Sequence, residues 1–221
     1  MMRTLLIAMS MLLIDDKIAD RLYESGKIVQ ELFSAPDSDI PKDLLGKAEC
    51  VAAIPGLKKA ALGIGGQAGR GAVTCKKDGG KGPFGPPAMI SVQGGSFGLQ
   101  IGGSESDVVM LFMTPDSLKY LMKDKVTLGA DASAAAGPKG RTASAETNAT
   151  MRSEILTYAR TRGAFAGISL KGAVLRPDND ANKNVYGRSV EMRELVEQGN
   201  IAIPEPARKS VDAVTRASSG K

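Results

Sequence analysis

The sequence predicts an α+β fold: a largely antiparallel, Gly-rich β-sheet system, barrel- or sandwich-like, flanked by N- and C-terminal helices. Three observations carry this. From about residue 50 to 176, short β-type runs alternate with Gly clusters at close spacing. The segments on either side instead place their apolar residues at helical period. Finally, 221 residues with 43% hydrophobic and 24% charged content can bury one sizeable core. With only 4% aromatics, no Trp and 26 Gly, that core relies on aliphatic packing and close backbone approach rather than on large rings.

The elements follow in order. Behind Arg3, the apolar run Thr4 to Ile14 has signal-peptide length and is too short to span a bilayer. Asp15-Asp16-Lys17 comes next, with neither a small-x-small cleavage site nor a Cys for lipid attachment. The run reads as an export signal with an altered cleavage region, or as the buried start of a longer helix. Residues 15–33 then place Ile18, Leu22, Val29, Leu32 and Phe33 near one helical face, suited to packing on the domain. Ser34-Ala-Pro-Asp37 ends that helix, and Asp39 caps a second one with Pro41 near its first turn and Leu44 and Leu45 inward.

The β-type runs are Val51–Ile54, Ala72–Cys75, Ala88–Val92, Phe97–Ile101, Val108–Met113, Val126–Leu128, Ile155–Ala159, Ala164–Leu170 and Ala173–Leu175. A helix from Thr114 to Met122, with Pro115 in its first turn, interrupts them. Acidic and amide residues follow Pro177, then a helix near Val190–Gln198 stopped by Gly199. Residues 204–217 form a weaker amphipathic helix carrying Val211 and Val214. The expected organisation is a signal-like segment (1–14), a single domain (15–203), and a C-terminal helix with a frayed tail (204–221).

The chain has no His, which removes Ser-His-Asp and Cys-His nucleophiles and, with only two Cys, the usual zinc sites. No catalytic residue, metal or cofactor is expected. Gly63-Ile-Gly65-Gly-Gln-Ala68 fits a loose dinucleotide fingerprint, but β-type sequence follows where that motif needs a helix. A nucleotide site at Gly63–Ala68 is the weakest of the readings. Gly94-Gly-Ser96-Phe-Gly98 spells a nucleophile elbow with no His to serve it.

Cys50 and Cys75 form a disulfide candidate in an exported chain and are free thiols in a cytosolic one. Net charge is +5. Residues 1–60 hold 8 basic and 9 acidic groups, 61–180 hold 14 and 10, and 181–221 hold 7 and 5, so the excess lies in the middle and C-terminal parts. That suits an anionic partner as well as an ordinary basic surface. Lys76 to Pro87 reads as a basic, flexible loop with Phe84 at its tip, placed to wedge among headgroups or simply to connect two strands. Basic residues are not interleaved with exposed aromatics, so no nucleic-acid partner is expected.

Several longer blocks add a family signal. They are Ala48 to Lys59, Gly65 to Gly71, Ala88 to Gly103, Asp107 to Met113, Leu128 to Gly137, Tyr158 to Leu170, and Gly172-Ala-Val-Leu175. In this order and spacing, over about residues 18–198, the chain resembles the SYLF-domain family in its bacterial lipid-binding branch. The resemblance implies a non-enzymatic phospholipid-binding protein of the bacterial cell envelope, periplasmic or secreted. Some eukaryotic members prefer phosphoinositides. It equally implies an alternative, a protein-interaction or scaffold module, because eukaryotic members engage actin-regulatory partners. The expected partners are thus an anionic phospholipid or membrane surface, or a protein. Chemistry nominates Lys58, Lys59, Arg70, Lys76, Lys77 and Lys81, with Phe84, as lipid contacts.

Overall fold

A computed structural model describes residues 14–34, 42–80, 82–138, 153–161 and 164–219. Helix α1 (Asp16–Ser34) and the short α2 (Lys42–Lys47) lead into strand β1 (Cys50–Cys75). A one-turn helix α3 (Lys77–Gly80) precedes β2 (Ala88–Phe112). A 3-10 turn (Pro115–Ser117) and α4 (Leu118–Leu121) follow, then strands β3 (Val126–Thr127), β4 (Ala134–Ala136), β5 (Ile155–Thr161), β6 (Ala164–Gly167) and β7 (Val174–Pro177). Helix α5 (Asn179–Tyr186), a π-turn (Glu194–Gln198) and α6 (Glu205–Ser219) complete the chain. The strands make one seven-stranded sheet, ordered β3-β7-β2-β5-β4, with β1 on β2 and β6 on β5. Every pairing is antiparallel except β4 with β5, so the expected α+β, Gly-rich antiparallel architecture with flanking helices holds.

The strand count differs from expectation. Val51–Ile54 and Ala72–Cys75 are the two ends of a single 26-residue strand, and β2 likewise joins three expected runs across 25 residues. The Gly clusters are not turns. They face one another across the ribbon, with Gly65 opposite Ser96, Gly66 opposite Gly95, and Gln67 opposite Gly94. Glycine there is a paired strand residue, and the ladder hydrogen bonds override its weak strand propensity.

The ribbon cannot be straight. Fully extended, β1 would span roughly 85 Å, yet Cys50 and Cys75 are joined by a disulfide with their Cα atoms 4.0 Å apart. The register of β1 on β2 is irregular between Ile54 and Leu57 and between Leu62 and Ile64, which lets the ribbon bend. It folds over until Gly71 lies against the Ala53 carbonyl, so closely that a Cβ on Gly71 would overlap it.

Alternation then divides the apolar residues between two faces. Ala52, Ile54, Val73, Ile90, Val92, Val108, Met110 and Phe112 turn into the fold of the sheet, where Ile155, Leu175, Leu121 and Leu195 join them. Val51, Ala53, Val109, Leu111, Leu156 and Tyr158 turn outward, under Ile28, Val29 and Leu32 of α1, Leu44 and Leu45 of α2, and Val211 and Val214 of α6. Burial on both faces explains why Val108 to Phe112 is a continuous apolar run rather than an alternating one. The first and last helices touch: a Cβ on Gly26 of α1 would fall 2.5 Å from Ser210 Cα of α6.

Polar links fix the register. Arg160 of β5 pairs with Glu31 of α1 and donates to Asp107 of β2 at 2.7 and 3.1 Å, and Asp107 in turn accepts the Gly56 N–H at 3.0 Å. Helix α5 was not foreseen among the acidic and amide residues after Pro177. Asp178 caps it, and Gly187 ends it at φ 67°. Its buried Asn182 grips the Met89 peptide, accepting the N–H at 2.7 Å and donating to the carbonyl at 3.2 Å. The segment Asp39 to Pro41 and most of the signal-like run lie outside the described residues. No helix among the described residues is long and apolar enough to cross a membrane.

Tyr186, at the end of α5, donates to the Pro87 carbonyl at 2.5 Å, and burial pushes its phenol above the ordinary value of 10.0. The folded protein therefore holds that proton more tightly than the unfolded chain does. This contribution to stability is full below about pH 10 and is lost as pH rises beyond it. We expect urea midpoints of the wild type to hold up to about pH 10 and to fall as pH rises beyond it. Tyr186→Phe should lose about 1 kcal/mol at neutral pH and show a shallower alkaline decline. Parallel declines in the two proteins would assign the alkaline transition to other groups.

Candidate interaction surface

The nominated basic residues fall in three places. Lys58 and Lys59 stand on β1 beyond the point where the folded ribbon meets itself, paired opposite Glu105 and Ser104. Lys58 is exposed, with Glu105 opposite it across the ribbon. Arg70 reaches Asp178 at 3.8 Å, and Asp178 also lies 3.6 Å from Arg21. Arg70 thus helps anchor the start of α5.

The third place is the connection from β1 to β2. It is a compact turn, not an open flexible loop. Lys77 N donates to the Pro83 carbonyl, Gly82 N to the Lys77 carbonyl, and Gly85 N to the Cys75 carbonyl. Phe84 is 3% exposed and belongs to the outer apolar cluster, so its ring is a packing residue, not a membrane wedge. Apolar burial of a ring outweighs any gain from leaving it at a solvated tip. Lys76 turns inward with it: Nζ donates to the Gly46 carbonyl at 2.6 Å and sits 5.8 Å from the Phe84 ring centre. Burial lowers its pKa, partly countered by Glu49. Lys77 is half-buried, and Lys81, like Arg141 and Arg162, lies outside the described residues.

Gly63–Ala68 runs inside β1, paired from Ile64 opposite Phe97 to Ala68 opposite Gln93. Neither the turn nor the helix N-terminus of a dinucleotide cradle is there, which removes the basis for a nucleotide site. The same holds for the elbow pattern at Gly94 to Gly98, which is strand interior. Among the described residues, no group of three His, Cys, Asp or Glu could hold a metal ion.

A different surface is better built for binding. Tyr23 is 49% exposed, the sole large hydrophobic side chain so exposed among the described residues. It lines a groove of about 260 Å³ between α1 and α6, with Lys27, Gln30, Lys209, Asp212, Ala213 and Arg216. Lys27 lies 3.5 Å from Glu24 of its own helix. An aromatic ring with a polar tip beside an Arg is the pairing enriched at protein contacts, and the long Lys stems add apolar cover at the rim. Lys27 and Gln30 are exposed, away from the buried face that periodicity assigns to α1. Periodicity could not show that α6, some 180 residues later, supplies the facing wall. Beneath this groove, the seam lined by Ser25, Val29, Val51, Thr74, Ser210 and Val214 holds about 10 Å³, roughly one water. That seam does not admit an acyl chain.

Comparison with known proteins adds the following. The family model described as Ysc84, Las17-binding protein actin regulator, matches residues 93–217. LAS seventeen-binding protein 3 of Saccharomyces cerevisiae is 31% identical over 197 residues, covering 87% of this chain and 41% of the yeast protein. SH3 domain-containing YSC84-like protein 1 is 28% identical in Xenopus laevis, over 84% of this chain and 56% of the relative. In Mus musculus it is 29% identical, over 88% and 57%. The chain therefore spans about two-fifths to three-fifths of the length of these relatives.

Proposed function

Because the chain belongs to the SYLF family, that of Ysc84, we propose that it is a non-catalytic binding module that engages a protein partner through the groove between α1 and α6. The observation that carries this is Tyr23, an exposed ring set in a groove rimmed by Lys27, Lys209 and Arg216. Burying such a ring beneath a partner yields far more free energy than any surface ion pair there. The yeast relative, named for binding Las17, supports a protein partner over a small-molecule substrate. A partner from the actin-regulatory machinery is the first to try. A second reading keeps the same groove and takes an anionic phospholipid surface, since three cations and one carboxylate line it. The Cys50–Cys75 disulfide supports residence in an oxidising compartment, such as the periplasm or the cell exterior, and there the phospholipid reading replaces an actin-regulatory partner, which belongs to the reducing cytosol.

The test titrates the full chain with Las17, with filamentous actin, and with anionic and zwitterionic vesicles at low and high salt. We expect saturable protein binding that Tyr23→Ala weakens at least ~10-fold while thermal unfolding stays unchanged. Protein binding indifferent to Tyr23→Ala would overturn the groove assignment. Salt-sensitive binding to anionic vesicles alone would replace the protein reading with the phospholipid one.

A further inference from the structure

Strands β3 and β7 pair antiparallel, with Val126 opposite Leu175 and Thr127 opposite Val174. Carried one step past the end of β3, this register puts Lys125 across from Arg176, and both line one groove. Like charges facing across a ladder oppose pairing. Both residues are exposed, and neither has an ion-pair partner among the described residues. Lys123 adds a third cation from the same turn. Its Nζ lies 5.3 Å from the Tyr120 ring centre, and the Tyr120 hydroxyl is anchored by donating to Glu154 at 3.0 Å. These three cations line an open groove of about 470 Å³ with Met122 and Asp124.

The nearby carboxylates do not neutralise the groove. Asp131 accepts the Thr127 N–H at 2.7 Å. That bond, more than the charges of Lys123 and Lys125, holds its carboxyl below the usual range. Asp124 is the one carboxylate in the lining, against three cations. The contrast with β1 is instructive, since there Lys58 faces Glu105.

We propose that this groove is an anion site for a phosphate-bearing ligand. Arg176 presents a planar fork to two oxygens, and Lys125, just before β3, faces the same group. Lys123, steadied on the Tyr120 ring, closes the third side. The bound anion supplies the counter-charge that the fold omits. The groove is larger than a bare phosphate needs, so an ester with an organic remainder fits. None of the residues of the α1–α6 groove takes part, so the two assignments stand or fall separately.

The test is calorimetric titration of the full chain with inorganic pyrophosphate at low ionic strength, beside co-sedimentation with phosphatidate-containing and phosphatidylcholine vesicles. The variant pair Lys125→Ala/Arg176→Ala removes two of the three cations. The pair Lys58→Ala/Lys59→Ala removes the same charge elsewhere. Losing two charge-assisted contacts should weaken binding at least ~10-fold in the first pair, with about twofold or less in the second. Pyrophosphate should also raise the melting temperature of the wild type and not that of the groove pair. Binding of pyrophosphate identifies a free phosphate ester as the ligand, and binding of phosphatidate vesicles alone identifies a lipid headgroup. Either supports the site when the groove pair abolishes it. No binding of either probe, or equal loss in both pairs, overturns it.

Discussion

Gly71→Ala is expected to destabilise the protein by about 3 kcal/mol, the upper end of overpacking costs. A Cβ there would overlap the Ala53 carbonyl carbon and oxygen and come within 2.9 Å of Ile54 Cα, all of it backbone. A flexible side chain could swing aside, but two legs of one folded strand cannot separate without breaking the ladder that each makes with β2. Gly66→Ala is the control. Its nearest neighbour would be the Gly94 carbonyl oxygen at 3.9 Å, in ordinary contact, so it should be neutral or slightly stabilising. Chemical denaturation of both variants checks this. A loss below about 1 kcal/mol for Gly71→Ala would mean that the two legs of β1 are not held together in solution.

Removing the disulfide should cost a comparable amount. Cys50 and Cys75 are 25 residues apart and buried at 0% and 3% exposure. Closing a loop of that length stabilises by about 3 kcal/mol in the chain-entropy model. Cys50→Ser/Cys75→Ser, or reduction of the wild type, should therefore lower the melting temperature substantially, and oxidised and reduced samples should differ while the double variant ignores reductant. In the chain-entropy model the bond acts on the unfolded chain and Gly71 on the folded one, so their losses should add. A non-additive result would show that the bond also holds the two legs of β1 together in the folded state.

The contrast between these two residues shows what the sequence made legible. Element types were readable because each has a local cause. The 3.6-residue face of α1, the Pro115 start after Thr114 and the Gly199 stop are all written within a few residues. The disulfide partners were nameable because there were no others. The length of β1 was not readable, since a Gly cluster is locally a turn signal and becomes strand only when another Gly cluster pairs with it across the ribbon. Phe84 was misplaced for the same kind of reason: a ring between prolines and glycines looks solvated until Val51 and Val211 are brought beside it. The binding surface was least legible of all. Tyr23 and Arg216 share a groove only because the two ends of the chain meet. Lys125 and Arg176 become neighbours only through strand pairing.

The meeting of α1 with α6 also bears on how the protein is made. On the ribosome, α1 and the outward-facing residues of β1 and β2 emerge well before their cover from Val211 and Val214, which follows Val109 by about a hundred residues. Until then the nascent chain displays Val29, Val51 and Val109 to solvent as an open apolar slab. Such a surface invites association between neighbouring polysomal chains, and it is what chaperones recognise. Folding of this domain thus waits until α6 has emerged, and a polypeptide released before α6 would be a client for quality control rather than a smaller working domain.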